Sequence, residues 1–167
     1  MRYSLSRWYF EIRSAAVGVL FAGLCLTGSA AGGAAGAGEP DIGILRTRAQ
    51  AGDAQALTAL GVAYDAGRGV ARDYPLAVKL LGQAAATGHA PALVALGAMA
   101  EAGHGQPADA GAAMKYYLQA SERGYAPAQF AVGNLYAAGT GVAQDDLEAA
   151  VWYRQAANQG LPEARHA

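Results

Sequence analysis

Cysteine occurs once in this chain of 167 residues, as Cys25. A lone cysteine closes no intramolecular disulfide, so stability has to come from packing. Histidine is scarce too: His89, His104 and His166. None has a cysteine or a second histidine at ligand spacing, so no metal is expected. No serine or cysteine stands where a nucleophile would, and Ser121 reads as an ordinary helix position. His104 follows Glu101 by three residues across a turn, which reads as a solvated loop histidine and not as a catalytic dyad. Positive charge in excess is also missing, with twelve basic against thirteen acidic residues. Nucleic acid and anionic membrane surfaces are therefore not expected as partners. Neither catalysis nor a cofactor is expected.

What is present begins with an export signal. Arg2, Arg7 and Arg13 precede the apolar run "AAVGVLFAGLCL", and "TGSAAGGAAGAGEP" then offers cleavage after Ala30, Ala34 or Ala37. Basic, apolar and small residues in that order make residues 1–37 a signal peptide with its cleavage region. The uncharged stretch 14–38 is long enough to span a membrane, but its second half is mostly Gly and Ala, and cleavage is expected. Leu24 immediately before Cys25 argues against a lipoprotein signal. Cleavage would remove Cys25 together with Arg2, Arg7, Arg13 and Glu11, leaving nine basic and twelve acidic residues, a net charge of −3. The mature protein is expected in the periplasm or outside the cell, off the membrane and monomeric.

The remainder repeats. A shift of 36 residues aligns 53–88, 89–124 and 125–160 without a gap, and twelve positions carry one residue type in all three copies. They include Gly61/Gly97/Gly133, Asp73/Asp109/Asp145 and Ala84/Ala120/Ala156. In each copy Ala56, Leu60 and Tyr64 or their equivalents mark one helical face, and Ala77, Leu80, Leu81 and Ala84 mark a second. Asp53, Pro91 and Pro127 suit helix starts, and Gly88, Gly124 and Gly160 suit helix ends. Residues 38–52, with "DIGILRTRAQAG", read as a half repeat capping the N-terminal end, and 161–167 as a truncated stub. The expected fold is all-α: a right-handed α-solenoid of antiparallel helix pairs, with Gly and Ala bringing axes close and paired aromatics filling the gaps.

The loop "AGTGVAQD" resembles a phosphate cradle until it is set beside "AGRGVARD" and "AGHGQPAD". All three lack the third glycine of a dinucleotide loop and the lysine of a P-loop. They read as turns, each followed by an aspartate free to cap the next helix. Asp65, Gly67, Gly69 and Asp73 likewise lack the carboxylates of a calcium loop, and Asp65 reads as a solvated helix end.

The segments "ALTALGVAYDAGRGVARD" and "AAVWYRQAANQG" resemble the Sel-one-like repeat family, a relative of tetratricopeptide repeats. The middle copy departs at Ala100, Gln106 and Ser121 but keeps its glycines and Asp109. The resemblance implies a non-enzymatic scaffold of the bacterial cell envelope, working in assembly or signalling, that binds a peptide or loop of another envelope or secreted protein. A β-lactam-binding or hydrolysing activity is the alternative it implies, but that subgroup relies on paired cysteines absent here. By analogy with tetratricopeptide grooves, the concave stripe comprises Thr58, Val62 and Asp65; Val94, Ala98 and Glu101; and Phe130 and Asn134. Phe130 is the expected apolar anchor, and Asn134 the amide that holds a backbone.

Overall fold

The computed structural model describes residues 41–165, so the expected signal segment 1–37, His166 and Ala167 lie outside the described residues. Seven α-helices succeed one another, and no strand occurs among the described residues. They are α1 Ile42–Gln50, α2 Ala54–Ala66, α3 Tyr74–Ala86, α4 Ala90–Ala102, α5 Ala110–Ser121, α6 Ala126–Ala138 and α7 Asp146–Asn158. A 3₁₀ turn, Glu163–Arg165, follows. None of these helices is long and apolar enough to cross a membrane.

Short-range chemistry sets where they start. Asp41 and Asp53 cap α1 and α2, accepting from Ile44 N–H and from Gln55 and Ala56 N–H. Asp73, Asp109 and Asp145 cap α3, α5 and α7 in the same way. Each carboxylate satisfies amides that have no partner inside the helix. The two starts without an aspartate, His89 and Tyr125, make no side-chain cap. There Pro91 and Pro127 stand in the first turn, which has one N–H fewer to satisfy.

Pairs α2–α3, α4–α5 and α6–α7 form the repeats, and α1 packs on α2. Between repeats α3 meets α4 and α5 meets α6. The first helices α2 and α4 also touch, whereas α3 and α5 make no comparable contact, so the first helices lie on the inner side of the curve. Apolar side chains join each repeat to the next. Ala92, Leu96 and Met99 of α4 cluster with Ala77, Leu81 and Ala84 of α3. Ala128, Val132 and Leu135 of α6 cluster with Ala113, Met114 and Tyr117 of α5.

Inside each repeat one glycine governs how near the two helices lie. A Cβ added at Gly61 would lie 2.7 Å from Leu81 Cγ, one at Gly97 2.6 Å from Tyr117 Cε1, and one at Gly133 2.7 Å from Tyr153 Cδ1. Tyr117 is 2% exposed and Leu81 is fully buried. Their burial is worth about 1.5–3 kcal/mol each, more than the roughly 1 kcal/mol a mid-helix glycine costs.

Two helical glycines should therefore respond to the same change with opposite signs. Gly97→Ala forces a methyl into the Tyr117 ring and should lower stability by about 1–3 kcal/mol. Gly82 has nothing within 4 Å of an added Cβ, so Gly82→Ala should raise stability by about 0.5–1 kcal/mol. Urea denaturation of both variants measures the pair.

Candidate functional site

The stripe expected on the first helices divides by depth. Thr58 is fully buried, and its hydroxyl donates to the Ala54 carbonyl at 2.7 Å. Val94 and Phe130 are buried at 5% and 7% exposure, Phe130 against the Tyr153 ring with centroids 5.3 Å apart. Asp65 is buried as well. These four are thus core side chains in the folded chain and not open groove walls; Phe130 in particular is a packed ring. Val62, Ala98, Glu101 and Asn134 remain partly exposed on the inner side. Spacing alone placed all eight on one helical face, but a face as wide as a helix also includes its buried edges.

The exposed polar members are held from beneath. The Tyr117 hydroxyl donates to Glu101 Oε2 at 3.1 Å, and the Tyr153 hydroxyl donates to Asn134 Oδ1 at 2.8 Å. Both rings lie over the repeat's glycine, so their hydroxyls emerge at the inner surface. In the first repeat the second helix has Leu81, which carries no hydroxyl; the equivalent of Asn134 there is Val62, and Asp65, the equivalent of Glu101, takes its partner from the next repeat. Tyr117 and Tyr153, two of the aromatics expected to fill the gaps between helices, are also the residues that orient the inner polar groups. The available signal was the coincidence of a tyrosine opposite the repeat glycine with a polar residue one or four positions after that glycine.

Asp65 and His104 correct two expectations together. Asp65 is not a solvated rim carboxylate and His104 is not a solvated loop histidine: His104 Nδ1 meets Asp65 Oδ1 at 2.5 Å. An ionised carboxylate only accepts, so Nδ1 carries the hydrogen. The imidazole also stacks on Tyr74, with centroids 4.8 Å apart and planes at 23°. The loop of the second repeat is thereby clasped by two side chains of the first. Gly105 makes this approach possible, since its φ is +80° and a Cβ there would lie 2.9 Å from that of Tyr74. The partners are 39 residues apart, and no local pattern links them. Glu101, the nearer carboxylate in sequence, is instead occupied by Tyr117.

Ser121 is the one serine among the described residues, and its hydroxyl donates to the Leu118 carbonyl at 2.7 Å. No group of three or more metal-ligating side chains occurs among the described residues.

Two expectations follow from these geometries. His104→Ala strands the Asp65 carboxylate in a buried place and should cost about 2–4 kcal/mol. Adding Asp65→Ala should restore part of that loss, a non-additivity that a double-mutant cycle in urea reads directly. Burial pushes the Glu101 carboxyl above its usual range, and the Tyr117 hydroxyl opposes this. Ionised Glu101 therefore costs stability above its folded pKa, and the cost disappears below the unfolded pKa of about 4.3. Glu101→Gln, which keeps an acceptor for Tyr117, should be more stable than the parent near neutral pH and should lose that advantage on acidification. Thermal melts across pH check it.

The Sel1 repeat family model matches residues 54–89, 90–125 and 126–161, one residue downstream of the register read from the sequence. No curated relative matches the chain. Among solved structures, a Sel1 repeat protein from Oxalobacter formigenes is 34% identical, with a TM-score of 0.64 over 75% of this chain and 95% of that one. A protective antigen of uropathogenic Escherichia coli strains, displaying an SLR fold, is 32% identical with a TM-score of 0.70. That match covers 75% of this chain and 27% of the antigen, so this chain spans about a quarter of its length. Cysteine rich protein B of Helicobacter pylori is 18% identical, with a TM-score of 0.61 over 76% of this chain and 96% of that one, a likeness of fold alone. Sel1 repeats generally mediate protein–protein interactions, and their fold is typically a non-catalytic scaffold. Three tandem matches on seven helices, glycine-spaced in pairs, make this chain a member of the Sel1 repeat family.

Proposed function

We propose that this protein is a non-enzymatic scaffold of the bacterial cell envelope, holding a peptide or loop of another exported protein on the inner face of its first helices. The observation that carries the reading is the pair of second-helix tyrosines fixing Glu101 and Asn134 at that face. Side chains held in place lose less freedom on binding, so an extended segment meets a preorganised acceptor and amide. Val62 and Ala98, partly exposed on the same side, supply apolar surface beside them. The basic, apolar and small-residue order of 1–37 supports export, and the mature chain then works in the periplasm or outside the cell as a monomer. A role in envelope assembly or signalling fits a surface that binds without transforming its ligand.

A photo-crosslinking residue placed at Ala98 in living cells tests this. It should give a discrete adduct that Val62→Arg suppresses while the helical circular dichroism is unchanged. The same probe at exposed Gln83, on a second helix, should give no such adduct. Equal labelling from both positions, or none from Ala98, would remove the inner face as the binding site.

A further inference from the structure

The inner face carries one charge that the fold does not balance. Helices α2, α4 and α6 contain no lysine or arginine, and their only carboxylates are Asp65 and Glu101. The two acids stand 36 residues apart, at one place in successive repeats. The loop after α4 brings His104 to Asp65, so the first acid has its counter-group inside the chain. In the loop after α6 the equivalent of His104 is Thr140, which offers no positive charge. Glu101 accepts from the Tyr117 hydroxyl instead, and among the described residues no ion pair reaches it. Lys79 of α3 and Lys115 of α5, the lysines of the two second helices packed on α4, are exposed. Each stands two residues from the side chain that meets a glycine, Leu81 or Tyr117, and so lies on the other side of its helix.

A carboxylate held in this way works against stability. Burial raises the Glu101 carboxyl above its usual range, and the Tyr117 hydroxyl opposes that rise. Glutamine would accept the same hydrogen bond without a charge, and the third repeat has Ala137 at this place. One turn earlier on the same side stands Ala98, a side chain too short to cover the carboxylate. A charge in such surroundings attracts an opposite charge more strongly than one in open water. Groups that oppose local stability while staying oriented are what a binding surface holds.

We infer that the segment held on the inner face carries a lysine or arginine whose head group pairs with Glu101. The inference rests on the reading of that face as the binding surface, and adds what the surface selects. Tyr117 engages Oε2, which leaves Oε1 to accept an incoming N–H in a charge-assisted bond. Because the tyrosine already fixes the carboxylate, less freedom is lost on pairing than at a loose surface glutamate. A segment with aspartate or glutamate at that point meets a like charge and is rejected, so one residue selects in both directions. Asp65 does not compete for the cation, since it is buried and engaged by His104.

The probe is a pool of short random peptides, acetylated and amidated so that no terminal charge contributes, selected on the full chain. Selection should enrich one lysine or arginine beside apolar residues. An enriched peptide is then followed by fluorescence anisotropy through a cycle of two changes. One is Glu101→Gln, which keeps an acceptor for Tyr117; the other replaces the peptide's cation by glutamine. Either change alone should weaken binding about tenfold, and the second should add little once the first is made. Val62→Arg, verified as folded by circular dichroism, should suppress binding of every selected peptide. Equal binding by Glu101→Gln, an additive cycle, or selection without cation enrichment would overturn the inference. If Val62→Arg still suppressed binding in those cases, the inner face would stand as the surface without its charge selection. No peptide retained, or binding indifferent to Val62→Arg, would overturn the inference and the inner-face reading together.

Discussion

The contact on which this molecule depends is the one between a glycine in the middle of each first helix and a large side chain of the second. Gly61, Gly97 and Gly133 meet Leu81, Tyr117 and Tyr153 at distances that leave no room for a Cβ. The consequence is more than tight packing. A tyrosine laid flat over a glycine reaches across the helix, and its hydroxyl comes out on the inner side, where it bonds Glu101 or Asn134. Core geometry thus dictates the chemistry of the surface. In the first repeat leucine takes that place and offers no hydroxyl; Val62 stands at the Asn134 position, and Asp65, at the Glu101 position, is bonded by His104 of the next repeat.

Between repeats the same backbone carries unequal polar contacts. The first junction has Asp65, His104 and Tyr74 gathered around one loop. At the second junction the equivalent positions are Glu101 and Thr140, and Glu101 is bonded within its own repeat. Solenoid stability sums over neighbouring interfaces, so the two junctions need not be equally strong even though their helices superimpose in register. Apolar clusters join both, but the buried carboxylate makes the first more sensitive to loss of a single partner.

Much of the fold was legible because its causes are local. An aspartate before an apolar run caps a helix wherever it occurs, and Asp73, Asp109 and Asp145 do so in all three copies. Which residues of the expected stripe reach solvent was not legible. Thr58, Val94 and Phe130 share a face with Val62, Ala98 and Asn134, yet the first three are buried and the second three are not. Residue spacing reports the angle around one helix axis; it carries no record of how near the neighbouring helix lies.

The sequence by itself determined the period, the helix pairs, the turns and the family, because capping, glycine backbone freedom and helical periodicity act within a few residues and recur three times. Only the tertiary structure decided which stripe residues reach solvent, and that His104 belongs to Asp65 and not to Glu101. Each of these depends on distances between segments tens of residues apart. Such distances follow from the summed packing of many small side chains, which no single position encodes.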